Sequence, residues 1–245
     1  MLRSLKDVLR FRRFEKNPAQ RRLNKAANIA DLRTIAQRRL PGGVFDYIDG
    51  AAEDERTSRD NVSAFSNYKF KPRVLRDVSN IDSSAKVLGT ATPLPLICAP
   101  TGFTRIAHSD GELAVSRSAA KAAIPFSLST MATRSIEEIH QTTKQLEEAQ
   151  NFSPRNWFQV YVWKDRGLLR DLLDRANEAE FEAIVITIDT AVLGRRERDV
   201  RRGFTLPPQL GISTIIDGVR NPAWTWNFVA NEPIRFANVV GKSTD

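Results

Sequence analysis

The residues best placed to do chemistry lie just past a short apolar run. Residues 183–188 read AIVITI, with Thr187 inside the run, and Asp189 and Thr190 follow at once. Five arginines come next: Arg195, Arg196, Arg198, Arg201 and Arg202. A run this short and rich in Ile and Val suits a strand buried on both faces of a parallel sheet. In α/β proteins, polar groups where such strands end are where chemistry is usually sited. The alternative is that Asp189 caps a turn and the arginines form a solvated face.

The composition bounds what those groups can belong to. The chain has 245 residues, which fits one α/β barrel or one to two ordinary domains, and 41% apolar content supports a core. Lys and Arg total 37 against 29 Asp and Glu, a net charge of +8. Much of the excess sits in residues 1–25, where nine basic groups face only Asp7 and Glu15. That stretch reads as an arm able to touch acidic lipid, an acidic partner or nucleic acid, or else as a solvated extension. The single cysteine, Cys98, excludes an internal disulfide, and its apolar neighbours point to packing. There is no apolar stretch of about 18 residues to span a bilayer, and no apolar segment of a secretory signal. His108 and His140 are the only histidines, and no Cys/His spacing suggests a metal site.

The elements that must hold these groups run the length of the chain. Residues 28–92 form a helical lead-in after the arm of residues 1–27. Helices are expected over 28–40, stopped by Pro41-Gly42-Gly43, and over 44–51 and 53–65. Short edge strands are expected within 68–81, and another at 86–90, turned by Gly89. Residues 93–202 repeat a strand–helix unit, with strands at 94–99, 124–128, 157–162 and 183–188. Helices fall at 111–123, from Ser135 onward, and at 167–179. Ser135 followed by Glu138 is a capping box. This alternation predicts a parallel sheet with right-handed crossovers. Four units are half of an eightfold barrel, which takes about 250 residues. Residues 203–245 lack a fifth strand and read as a long polar-aromatic connection, so the chain is expected to be C-terminally truncated.

The blocks FDYIDGAAEDE, FKPRVLRDVS, LPLICAPTGF, FSLSTMATRSIEE, WFQVYVWKDR and TIDTAVLGRRERDVRRGF, with Gly111-Glu112, all occur along the chain. Together they resemble the FMN-dependent α-hydroxy acid dehydrogenases and oxidases. The arm and the stretches FTLPPQLGISTIIDG and NPAWTWNF look most like the respiratory L-lactate dehydrogenase branch. The resemblance implies a (β/α)8 TIM barrel with FMN at the C-terminal ends of its strands, of which the first four strand–helix units are present.

It also implies roles. Arg196 and Tyr47 match the groups that bind the substrate carboxylate, which wants a planar cationic fork and a neutral donor. Tyr161 matches a phenol offered to the substrate hydroxyl, both binding and catalytic. Gln159, on the same strand face, suits the pyrimidine edge of the flavin. Ser129 and Thr187 match other flavin contacts. Ala99, Pro100, Thr101 and Gly102 match the small residues that let backbone approach the flavin. Gly102 stands where oxidases more often carry alanine, a hint of a dehydrogenase. Asp189 matches the carboxylate that orients the family's catalytic histidine. That histidine is not in this chain, since neither His108 nor His140 lies in the matching block. A lysine near the flavin, a second substrate arginine and the phosphate loops are absent too. Met131 stands where some members have tryptophan, which leaves side-chain specificity open.

The activity implied is FMN-dependent oxidation of L-lactate or a similar 2-hydroxy acid to the 2-keto acid, with electrons passing to quinone or another acceptor. This chain alone is expected to be inactive and to bind FMN poorly. The alternatives are an oxidase that uses oxygen, and a non-catalytic basic module for lipid or nucleic acid. No nucleic-acid motif is present, and nucleic acid is not expected as a partner. A homo-oligomer is expected of the full-length protein, as is a cytoplasmic location, peripheral on the inner face of the cell membrane. Trp224, Trp226 and Phe228, with Arg220 and Arg235, suit either an interfacial segment or a buried aromatic cluster.

Overall fold

A computed structural model of the chain describes residues 15–150, 154–192, 194–203 and 212–239. Most of the basic arm, residues 1–14, lies outside the described residues. The first described helix is the short α1 (Pro18–Leu23), capped by Asn17. The lead-in then gives α2 (Ile29–Arg39), α3 (Gly42–Asp49) and α4 (Arg56–Ser63), close to the expected bounds. A two-stranded antiparallel hairpin comes next, β1 (Ala85–Val87) and β2 (Thr90–Thr92), turned through Leu88 and Gly89.

The centre of the molecule is a three-stranded parallel sheet, β3 (Phe126–Ser129), β4 (Asn156–Tyr161) and β5 (Ala183–Thr187), in that order. Helix α5 (Glu112–Lys121) precedes β3, α6 (Ile136–Gln150) joins β3 to β4, and α7 (Arg166–Glu178) joins β4 to β5. The capping box at the start of α6 is formed. Ser135 N donates to Glu138 Oε2 at 2.7 Å, and Glu138 N donates to Ser135 Oγ at 3.1 Å. Asp165 caps α7 through Leu168 N at 2.9 Å. Three turns then present Leu168, Leu172 and Ala176 inward. These pack with Ile136 and Ile139 of α6 against Leu128, Phe158 and Val160, making the main core.

Parallel strands in register point paired side chains to the same side. Leu128 pairs with Phe158, Phe158 with Ile184, and Val160 with Ile186, so these residues share the helix-facing side. Ser129 pairs with Gln159 and Tyr161 with Thr187, so these share the other side.

Four expectations need correction. The expected strand at 94–99 is reduced to one parallel bridge, Cys98 to Phe126, with Leu94, Leu96 and Ile97 exposed. Pro93, Pro95 and Pro100 explain this: each lacks an amide donor and restrains the residue before it. Residues 68–81 are exposed and irregular, with Leu75 at a left-handed φ of 57°, and form no ladder, with Pro72 among them. The run 183–188 is a strand to Thr187 but is not buried on both faces. Ile184 is 40% and Ile186 59% exposed, and β5 lies at the edge of the sheet. The described part of 203–245 is more than a connection. Beyond α8 (Glu197–Arg202) it holds α9 (Ile212–Arg220) and α10 (Pro222–Val229).

Helix α7 is tied to α6 by Arg175, whose Nε and Nη2 donate to the two Glu137 oxygens at 2.6 and 2.9 Å. The bonds from Arg175 hold the Glu137 carboxyl down from 4.5 to about 2. A carboxyl held low in the folded state stabilises the fold above its ordinary value, and that contribution is lost as pH falls toward its folded value. Urea unfolding of Glu137→Gln should show about 1 kcal/mol of loss or less at neutral pH, since the Glu137 carboxylate is more than half exposed. Between about pH 4.5 and 2 the variant should lose less stability than the parent, since it no longer has that carboxyl to protonate.

Candidate active site

The inner face of the sheet carries a connected polar row at the C-terminal ends of the strands. Ser129 Oγ donates to Gln159 Oε1 at 3.1 Å, and Thr130 N donates to the same oxygen at 3.1 Å. Gln159 Nε2 donates to Thr187 Oγ1 at 2.6 Å. Met131 N donates back to Ser129 Oγ at 3.1 Å. Gln159 is 3% exposed, so this network is built where an unmet partner is costly. Among the described residues, the second amide hydrogen of Gln159 and the hydroxyl hydrogen of Thr187 carry no further acceptor. Deeper on the same face, Ser127 Oγ is buried without a partner. A donor set of this kind fits the acceptor-rich pyrimidine edge of a flavin.

Beside the row stand Tyr47 and Arg196, from α3 and the start of α8. Arg196 Nη2 donates to the Tyr47 carbonyl and, at 3.1 Å, to the Gly50 carbonyl. Its Nε donates to Asp199 Oδ2 at 2.8 Å, and its guanidinium lies 5.0 Å from the Tyr47 ring centre. Burial pushes the Tyr47 phenol up, while the Arg196 cation draws it back. Tyr161, the last residue of β4, adds a smaller upward push on the same phenol. Tyr47 and Arg196, remote in sequence, are therefore brought together, and Tyr161 stands beside Thr187 at the end of the polar row.

The remaining candidates are placed less closely. Ala99, Pro100 and Thr101 are exposed just beyond the Cys98 bridge. Gly102 abuts Met131: a Cβ at Gly102 would lie 3.1 Å from both Met131 Cβ and Met131 O. Phe103 N donates to that same carbonyl at 3.0 Å, and Phe103 adopts a left-handed φ of 63° that non-glycine residues rarely hold. Its ring meets Tyr47 edge-on at 6.3 Å. Asp189 lies exposed beyond β5, with no hydrogen bond or ion pair among the described residues. His108 lies beside Asp110, and His140 is on α6.

Several residues that shape the site are not apparent from sequence. Glu112, in the first turn of α5, is 1% exposed. It accepts from Thr133 N and Oγ1, at 3.0 and 2.6 Å, and from Thr104 N at 3.3 Å, joining the loops after Cys98 and β3. Arg105, 3% exposed, donates to the carbonyls of Phe228 and Glu232 at 3.3 and 2.6 Å. Trp224 Nε1 donates to the Ile106 carbonyl at 2.7 Å, and Asn227 pairs with Ser109 through two bonds of 2.8 Å. Helix α10 is thus clasped over the same end of the sheet. The signal that was available is the short run of matched polar residues at 104–112, too local to name its partners.

Comparison with known proteins places this geometry. Residues 36–245 match the family described as FMN-dependent dehydrogenase. A protein of Mycobacterium tuberculosis (strain ATCC 25618 / H37Rv) named "Putative L-lactate dehydrogenase" is 42% identical over 97% of this chain and 56% of its own length. An L-lactate oxidase of Nostoc sp. (strain PCC 7120 / SAG 25.82 / UTEX 2576) is 41% identical over 82% of this chain and 54% of its own. The crystal structure of the monotopic membrane protein (S)-mandelate dehydrogenase superposes with a TM-score of 0.80 at 35% identity, covering 89% of this chain and 56% of that one. The chain spans about half the length of the curated relatives it matches.

Replacing Gln159 by leucine tests the polar row. Leucine matches its bulk but leaves the buried Thr130 amide without its acceptor, so Gln159→Leu should cost about 1–3 kcal/mol. Chemical denaturation followed by tryptophan fluorescence measures it. A loss no larger than that of an exposed control would show that the row is not a structural unit.

Proposed function

The chain belongs to the FMN-dependent dehydrogenase family, and on that premise we propose that it supplies the carboxylate-binding corner and part of the flavin wall of an enzyme oxidising L-lactate or a similar 2-hydroxy acid. The partial α/β fold is part of the family's TIM barrel, and FMN is the family's cofactor. The observation that carries the reading is the Arg196 guanidinium set across the Tyr47 ring, beside the inner face of the sheet. A planar cation next to a phenol is what a carboxylate with an adjacent hydroxyl can bind.

Gln159, Ser129 and Thr187 would hold the flavin edge, and the backbone of residues 99–102 would lie along it. When bound, FMN supplies the electron sink for the substrate's C–H bond. Arg196 and Tyr47 would orient the acid by its carboxylate, and Tyr161 would donate to, or accept from, the hydroxyl. Asp189 would hold the imidazole that takes the proton. The chain's two histidines do not match that base. We therefore expect weak FMN binding and no lactate-dependent reduction of a dye by the 245-residue chain. A yellow, active preparation would overturn that expectation.

The site itself is tested without turnover, by titrating pyruvate into the labelled chain and following backbone amide shifts near Gly50. Arg196→Ala should weaken binding by about tenfold or more, since it removes the charged half of the pair. Binding that survives Arg196→Ala intact would remove the basis for this reading.

A second observation concerns location. Ile215, Ile216 and Val219 of α9, with Trp226 and Val229 of α10, are exposed, and Trp226 is 75% so. Among the described residues, no helix is long and apolar enough to cross a membrane. Exposed apolar side chains next to Arg220 and Arg235 support peripheral docking on a bilayer, from which electrons could pass to quinone. Sedimentation with anionic vesicles should fall about tenfold for the double variant Trp226→Ser, Val229→Ser, which loses two anchors. Equal sedimentation of variant and parent would exclude this surface as the anchor.

A further inference from the structure

Helices α3 and α8 meet across about 150 residues of chain, with Arg198 and Asp49 separated by 149 positions. Their contact is mainly ionic. Arg198 Nη1 stands 2.9 Å from Asp49 Oδ2 and 3.7 Å from Asp46 Oδ1, and its Nη2 stands 2.5 Å from Glu55 Oε2. Asp46 and Asp49, three residues apart, share one face of α3. Arg202, a turn further along α8, places Nε 2.6 Å from Asp46 Oδ2. The bond from Arg198 holds the Glu55 carboxyl below the usual carboxylate range. The bond from Arg33, reinforced by Arg198, does the same for Asp49.

Nothing in the chemistry of a hydroxy acid requires these groups. What they fix is the start of α8, where Arg196 stands two residues before Arg198. Asp199, on the same helix, sets the Arg196 rotamer relative to α8 through the 2.8 Å bond to its Nε. It does nothing to place α8 relative to Tyr47. The edge of Arg196 formed by Nε and Nη2 is spent on Asp199 and the Tyr47 and Gly50 carbonyls. Its Nη1 has no hydrogen-bond partner among the described residues.

We infer that Arg198 is a positioning residue: it clips α8 to the acidic edge of α3, and so holds Arg196 across Tyr47 with one nitrogen presented to an incoming carboxylate. The inference deepens the reading of the Tyr47–Arg196 pair given above and rests on it for the identity of the ligand. The planar fork of Arg198 can bond Asp49 and Glu55 at once, whereas a lysine offers one compact ammonium on a flexible stem. Lysine at 198 should therefore keep part of the clip, and alanine none.

The experiment reads geometry directly, on the 245-residue chain with arginine side chains labelled for NMR. The Tyr47 ring current displaces the Arg196 Cδ and Nε–H signals, and Tyr47→Leu gives their positions without the ring. In Arg198→Ala the signals should move most of the way to that reference, and in Arg198→Lys part of the way. Amide exchange protection in β3, β4 and β5 should stay as in the parent. If Arg198→Ala does not fold, Arg198→Lys and Glu55→Gln carry the test, each expected to shift the signals partly in the same direction. Arg196 signals that stay in place in a folded variant overturn the inference. So does sheet protection that collapses in all three variants, which would make the cluster a general structural support. No flavin or hydroxy acid enters this measurement. It can fail while pyruvate still binds through Arg196, and the pyruvate titration can fail while the clip holds.

Discussion

Parallel register is the constraint on which the site depends. Leu128, Phe158 and Val160 must face the helices, because α6 and α7 bring their apolar stripes to that side alone. With a side-chain period of two, that choice sends Ser129, Gln159, Tyr161 and Thr187 to the opposite face. A slip of one residue in β4 would push Gln159 into the helix layer, without its partners, and would expose Phe158, which is fully buried. Apolar burial on one side of the sheet thus determines polar chemistry on the other. The hydrogen bonds of the row then need only refine positions that packing has already set.

The same logic explains how much could be read from the sequence. β4 and α7 were legible because their patterns are local, a short apolar run and a stripe at helical spacing. The start of α6 was legible because a capping box needs only residues 135 and 138. The pairing of Tyr47 with Arg196 was legible only through resemblance, since nothing local joins positions 149 residues apart. The strand at 94–99 does not form because Pro93, Pro95 and Pro100 remove amide donors, and in a ladder a missing amide counts for more than apolar content. The burial of Glu112 is not legible for a different reason. At a helix N-terminus an acid usually faces water and the dipole. Here the Thr133 and Thr104 amides draw the carboxylate inward, and the loops that supply them are positioned by tertiary structure.

Ion pairs and apolar contacts divide the work of closing this end of the molecule. The carboxylates of the α3–α8 cluster are mostly covered, so the cost of desolvating them offsets much of the ionic attraction and the cluster is not what folds the chain. Its value is directional: a guanidinium fork bonded to two carboxylates permits few orientations. The apolar counterpart is the second core, where Val44, Phe103 and Ile106 are buried against Tyr47, Trp224 and Phe228. That cluster draws α3, the loop after Cys98 and α10 together without specifying their angles closely. Aromatic rings add some selectivity through edge-on and stacked contacts, as between Trp224 and Phe228 at 4.8 Å.

Helix α10 shows why the sequence left a buried cluster and an interfacial segment as equal readings. Trp224 and Phe228, four apart, lie on one face and pack toward Tyr47 and Phe103. Trp226 and Val229 lie on the other and are exposed. The inner face forms the aromatic cluster, and the outer face is left exposed. The inner face is not free to move alone. Arg105, whose burial pushes its guanidinium pKa down, donates through Nη2 to the carbonyls of Phe228 and Glu232. Lifting α10 would strip those acceptors from a buried cation, a far larger penalty than breaking a surface pair. Whatever contacts the outer face of α10 therefore presses on a rigid wall whose other side carries the rings around Tyr47.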